Sequence, residues 1–162
     1  MKRTIILLSS VIALILLILA IVSVMLIPRL FAPREAISAE VFTAIMTNEG
    51  HAVGDYTYRH YDSFGIEIIR IAKVGDFNVE FYVFESSESA RFLYAQLQQA
   101  LIDSSGSAAS SRSINNVSFN RFTQATEGRF EVLSRIENTL IAIDTTIENR
   151  TDVETILSIL GY

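Results

Sequence analysis

The stretch "IEIIRIAKVGDFNVEFYVFESSESARFL", residues 66–93, decides how this chain folds. Two runs rich in β-branched and aromatic residues flank the pair Gly75-Asp76, and a two-residue glycine-containing connection of that kind marks a β-hairpin. Ser86 and Ser87 then offer a helix cap, and Glu88 falls in the first turn, where the helix dipole favours a negative charge. Ala90, Leu93, Tyr94, Leu97 and Leu101 follow at helical spacing, so the helix is amphipathic and half buried. Along the second strand, alternate side chains face opposite ways. Phe77, Val79, Phe81 and Val83 make a core face. Tyr82 and Phe84 fall on the other face, which is either covered by a helix or open as a binding surface.

A second stretch repeats the plan. "FEVLSRIENTLIAIDTTIENRTDVETIL", residues 130–157, also runs strand, two-residue turn, strand, polar cap, helix. Hairpin–helix is a common arrangement, so the echo sets the fold class without requiring a duplication. The expectation is an α+β domain with an antiparallel sheet, helices packed on one face, and the order α-βββ-α-βββ-α.

The remaining segments fill in that order. "SAEVFTAIMTNEG" reads as a helix capped by Ser38, with Val41, Phe42 and Ile45 on its apolar side and Gly50 as its stop. "HAVGDYTYRHYD", residues 51–62, reads as a strand. Residues 103–116, with the serine-rich "SSGSAASSRS", lack apolar periodicity and read as a flexible loop. "VSFNRFTQAT" and "RFEVLSRI" are strands joined near Glu127-Gly128, and Glu137-Asn138 turns the chain into "TLIAIDTTI". In the last helix Thr151 and Glu154 match a capping box, and Val153, Ile156, Leu157 and Leu160 sit at i, i+3, i+4, i+7 before Gly161. Residues 38–162 thus make a single domain.

The N-terminal part has a different composition. Residues 1–4 form a basic head with Lys2 and Arg3, and residues 5–27 run for 23 positions without a charge. At about 1.5 Å per residue that segment is roughly 35 Å long as a helix, enough to cross a hydrocarbon core of about 30 Å. It is longer than the apolar region of a secretory signal, and no small-x-small cleavage site follows closely. The reading is one transmembrane helix, then a linker over residues 28–37. Lys2 and Arg3 balance Arg29 and Arg34 across the span, so the positive-inside count is a tie. The short basic head and the long acidic remainder resolve it toward a signal anchor at the cell membrane, with the domain outside the cytoplasm.

Residues 35–162 carry nine Lys or Arg and eighteen Asp or Glu, a net charge of −9. Such a domain should be repelled by nucleic acid and by anionic lipid, which argues against a nucleic-acid partner. The chain has no cysteine, which is compatible with either redox compartment.

The stretch 51–62 holds both histidines, but as a regular strand it disperses them. His51 and His60 point to opposite faces, and His51 and Asp55 lie roughly 13 Å apart at about 3.3 Å per residue. His60 and Asp62 share a face with Tyr56 and Tyr58 beside them. A histidine–carboxylate pair falls short of the three or four ligands a zinc ion takes. The sequence contains no phosphate-binding glycine loop, nucleophile elbow or zinc-protease motif. The expectation is therefore no catalytic residue, metal or cofactor, and a candidate surface of Tyr56, Tyr58, His60, Asp62, Tyr82 and Phe84.

The anchor followed by a short helix, "EFYVFESSESARFLYAQL", the serine-rich loop, "SRIENTLIAIDT" and a closing "ILGY" resembles small single-pass membrane-anchored proteins of Gram-positive Firmicutes bacteria that have no assigned function. The resemblance implies a bacterial, extracytoplasmic α+β domain and transfers no functional residue. Two functional classes follow from the residues. The first is a membrane-tethered binding or envelope-associated module for a protein or small-ligand partner. The alternative is a small anchored hydrolase using His60, Asp62 and nearby carboxylates.

Overall fold

The computed structural model describes residues 34–59, 64–105 and 110–162. The anchor expected at 5–27 and the basic head lie outside these residues. Among the described residues no helix is long and apolar enough to cross a membrane. Residues 34–162 form a compact unit, and both hydrophobic cores described below close within it. Ala36 and Ile37, placed in the linker by the sequence, already pack on a core.

Among the described residues, seven antiparallel strands and three α-helices build the unit. The order is α1 (Ala39–Asn48), β1 (Ala52–Asp55), β2 (Ile66–Val74), β3 (Phe77–Phe84), α2 (Ser87–Ser104), β4 (Ser110–Asn115), β5 (Phe119–Ala125), β6 (Arg129–Ile136), β7 (Thr139–Thr146) and α3 (Arg150–Ile159). Single 3-10 turns at Thr57–Arg59 and Ile147–Asn149 follow β1 and β7. In the sheet the strands lie side by side as β1-β2-β3-β7-β6-β5-β4. The second half thus contains four strands where the sequence predicted three.

The hairpins form where the turn residues place them. Val74 pairs with Phe77 around Gly75-Asp76, and Gly75 takes a positive φ of 53° that glycine adopts without steric cost. Ile136 pairs with Thr139 around Glu137-Asn138. Here Glu137 itself adopts φ 48°, a conformation uncommon for a residue with a Cβ.

The helices occupy both faces of the sheet, which corrects the expected one-sided packing. On one face, Ala39, Phe42 and Met46 of α1 and Val153, Ile156 and Leu157 of α3 meet Ala72, Val79, Phe81, Val132, Ile141 and Ile143. The Phe42 and Phe81 rings stack at 4.6 Å. On the other face, Ala90 and Tyr94 of α2 cover Phe84, Phe122, Leu133 and Leu140, with Leu93, Leu97 and Leu101 alongside. The cause is that Phe81–Phe84 of β3, Val132–Leu133 of β6 and Leu140–Ile143 of β7 are apolar at successive positions, so neither face is stable in water there. Ser86, whose hydroxyl accepts from the Ser89 amide, starts α2 directly after β3. After β7 the chain instead makes the Ile147–Asn149 turn before α3 begins, and α3 packs on the opposite face.

Four local expectations are also corrected. The strand predicted over 51–62 stops at Asp55, whose carboxylate accepts from the Thr57 amide and hydroxyl at 3.0 and 2.7 Å; this Asx-type turn outcompetes the ladder. The loop predicted over 103–116 is helical to Ser104 and becomes β4 from Ser110, an edge strand paired to β5 on one side and exposed at every residue. Thr151 does not cap α3. The cap position is Asn149, whose side chain bonds Asp76 and Thr145 instead of the helix amides. Glu154, its expected capping partner, pairs with Arg121 at 2.6 Å.

Candidate binding face

Because α2 packs on β6, β7 and the Phe84 end of β3, the same face of the sheet is left open at the Ala52–Lys73–Asn78 end of β1, β2 and β3. Cross-strand register defines what that opening displays. One row runs Ala52, Lys73, Asn78, Asp144, Glu131, Gln124. The next runs Gly54, Ile71, Glu80, Ala142, Leu133, Phe122, and a third runs Ile69, Tyr82, Leu140, Arg135. Before β7, Ala52, Lys73 and Asn78 of the first row are exposed and Gly54, Ile71 and Glu80 of the second are half-buried, whereas Ile69 of the third is buried. Beyond it the second and third rows pass under α2.

Two recesses mark the opening. A groove of about 430 Å³ lies between the Leu97–Leu101 turn of α2 and the sheet, lined by Asn78, Glu80, Tyr82, Glu131, Leu133 and Asp144 among others. A recess of about 570 Å³ adjoins it across Ala52, Gly54, Tyr56, Ile71 and Lys73, and the two share Asn78 and Glu80. The groove falls in the size range of small-ligand pockets, about 300–1,000 Å³.

Its polar groups are fixed in place. The Tyr82 hydroxyl donates to Glu80 at 2.5 Å. Burial, then the charge and hydrogen bond of Glu80, push the phenol well above the ordinary tyrosine range. Glu131 is buried, and the Gln124 amide donates to it at 3.1 Å while also donating to the Leu101 carbonyl at the end of α2. Asp144 stands directly opposite Glu131 in the ladder. Arg129 bridges the two, pairing with Asp144 and lying 3.5 Å from Glu131; Asp144 is the largest cause of its raised guanidinium pKa. With Asp76 and Lys73, the two recesses carry four carboxylates and two cations, so the face is acidic.

The sequence-predicted surface divides. Tyr82 lines the groove, and Tyr56 lines the adjoining recess with its ring against Gly54, where even an added Cβ would meet it at 2.7 Å. Tyr58 is exposed on the 3-10 turn. Phe84 is fully buried under α2, its ring 6.3 Å from that of Tyr82, and belongs to the core. His60 and Asp62 lie outside the described residues. His51 sits elsewhere, in a crevice of about 240 Å³ with Met46, Val74 and Ile156 between α1 and α3. Among the described residues no three His, Asp or Glu side chains gather to hold a metal ion. Sequence reasoning missed Lys73, Asn78, Glu80, Glu131 and Asp144. Strand alternation puts Asn78 and Glu80 on the face of Tyr82, but only the register brings in β6 and β7.

No family model and no curated protein matches the chain. Among solved structures, a GTP-binding regulator from Thermotoga maritima aligns with a TM-score of 0.48 and 14% identity, covering 80% of this chain and 91% of that one. The extracellular domain of PknH from Mycobacterium tuberculosis aligns with a TM-score of 0.42 and 12% identity, covering 78% and 90%.

Proposed function

We propose that this protein is a membrane-tethered binding module whose ligand lies in the groove that α2 makes with β3, β7 and β6, reaching onto the exposed end of β2. The observation that carries this reading is the groove of about 430 Å³ in which Glu80, Glu131 and Asp144 stand beside the Tyr82 ring and the apolar side chains of Leu97 and Leu133. Immobilised carboxylates beside an aromatic ring suit a ligand or peptide segment bearing a positive charge next to an apolar group. The groups hold and orient, and burial together with Glu80 pushes the Tyr82 phenol well above the ordinary tyrosine range. Tethering rests on the charge-free run 5–27, and placement outside the cytoplasm rests on the basic head before it. The sequence resemblance to anchored Firmicutes proteins is consistent with both.

The test is fluorescence anisotropy of a labelled Lys-Phe-Lys peptide and its Glu-Phe-Glu counterpart, titrated with a fragment of residues 30–162. The basic peptide should bind in preference, and Glu80→Gln with Asp144→Asn should abolish that preference. Equal binding of the two peptides, or a preference for the acidic one, contradicts the reading.

A further inference from the structure

The net charge of this domain conceals a basic site. Residues 34–162 contain ten Lys or Arg, and four of them meet where β4 and β5 run past the start of α3. Arg112, Arg121 and Arg150 line a recess of about 150 Å³ with Ile114, Thr123 and Glu154. Arg34, ahead of α1, sets its guanidinium 4.0 Å from the centre of the Phe119 ring, two positions before Arg121 on the same face of β5. This is the sheet face of α1 and α3, opposite to the acidic groove.

The cations here are held for an incoming anion more than they are neutralised. Glu154 is the one carboxylate lining the recess, and it is engaged with Arg121. Among the described residues neither Arg112 nor Arg150 makes a salt bridge. Arg150 lies over Phe130 at 5.3 Å, so ring faces fix two guanidinium planes without cancelling their charge. Arg34 loses affinity for its proton through burial and then through repulsion from Arg121, a penalty that an anion between them would relieve. Four guanidiniums against one carboxylate leave a local excess of three positive charges. Guanidinium forks match the oxygens of a phosphate group.

We propose that the recess formed by Arg112, Arg121 and Arg150, with Arg34 beside it, binds a phosphate group, presented either by an anionic lipid headgroup or by a soluble phosphate ester. Arg34 follows the end of the charge-free run at Ile27 by seven residues. A headgroup is therefore the source closest to hand in an anchored chain.

The fragment 30–162 separates the sources, since it retains both cores and keeps its new terminal amine away from Arg34. It is sedimented with phosphatidylcholine vesicles with and without phosphatidylglycerol, and separately titrated calorimetrically with inorganic phosphate and glycerol phosphate. Arg112→Gln and Arg150→Gln are both at exposed positions, and unchanged melting curves establish that the variants fold. Each should weaken binding about fivefold, while Lys73→Gln on the opposite face should have no effect. Binding to phosphatidylglycerol vesicles alone assigns the headgroup; saturable binding of glycerol phosphate as well assigns a free phosphate ester. Absence of binding in both arms overturns the proposal, as does binding that the double variant retains in full.

Discussion

Tyr82 donates its hydroxyl to the carboxylate of Glu80, two residues back on the same face of β3, at 2.5 Å. The pair joins the candidate groove to the stability of the fold, because the phenol can ionise only by leaving this arrangement. Tyr82 and Tyr162 are raised well above the ordinary tyrosine value of about 10, and Tyr94 is pushed up to about 12, in each case chiefly by burial. The unfolded chain ionises these groups near pH 10 and the folded chain resists. Their contribution is therefore fully present below about pH 10 and lost as pH rises through the folded values. The melting temperature of fragment 30–162 should fall steeply above about pH 10, with a late phase in the phenolate absorbance that coincides with unfolding. A melting temperature unchanged to about pH 11 would contradict these burials.

Arg135 gives a second prediction. It is completely buried and among the described residues makes no salt bridge. Its guanidinium donates to the Asn120 side chain and to the carbonyls of Glu137 and Val117, at 2.7, 2.7 and 3.0 Å. Burial lowers its pKa first, and the nearby Arg91 lowers it further. Arg135→Ala removes a fully buried side chain and three hydrogen bonds donated by a charged group. At about 1.5–3 kcal/mol for such a bond, offset where water or Arg91 replaces it at an acceptor, the loss should reach about 3 kcal/mol. Arg135→Lys should recover only part of it, since an ammonium lacks the planar fork. Urea denaturation checks both; a loss below about 1 kcal/mol in the alanine variant would show that water replaces the bonds.

The start of α3 separates two readings of one sequence. The capping-box pattern makes Thr151→Ala costly by about 1 kcal/mol. In the structure Thr151 is exposed inside the first turn, so its replacement should change stability by less than about 0.5 kcal/mol. Asn149→Ala, which breaks bonds to Asp76 and Thr145, should cost about 1 kcal/mol. Leu157 is fully buried, and Leu157→Ala should cost about 2–5 kcal/mol. Chemical denaturation ranks the three; the opposite order of Thr151 and Asn149 would restore the capping box.

What was legible in the sequence was whatever the chain determines locally. Gly75-Asp76 fixes a hairpin because its geometry excludes most alternatives, and Ser86 with Glu88 starts α2 as read. β4 was not legible, since an exposed edge strand needs backbone pairing to β5 and no apolar pattern. The packing of α2 depends on the alternate residues of β3, β6 and β7 summed together, which no single strand reveals. The site shows the same division. Tyr82 was found from the aromatic face of one strand, but Glu80, Asp144 and Glu131 become neighbours only through cross-strand register.

Topology is tested on cells. With residues 5–27 as a signal anchor, protease added to intact protoplasts should degrade the domain. The mature protein should retain its N-terminus by mass spectrometry. Full protection from protease would place the domain inside, and a new N-terminus beyond Phe31 would identify a cleaved signal.

The groove of Glu80, Tyr82 and Asp144, with the exposed end of β2 beside it, is the proposed binding face. The most direct measurement is amide chemical-shift mapping of isotope-labelled fragment 30–162 during titration with the Lys-Phe-Lys peptide. Saturable shifts should concentrate on Ile71, Lys73, Asn78, Glu80, Tyr82, Ala142 and Asp144, and disappear in the Glu80→Gln, Asp144→Asn variant. Absence of saturable shifts, or shifts clustered instead at the His51 crevice between α1 and α3, would contradict the claim that this face is where the protein binds.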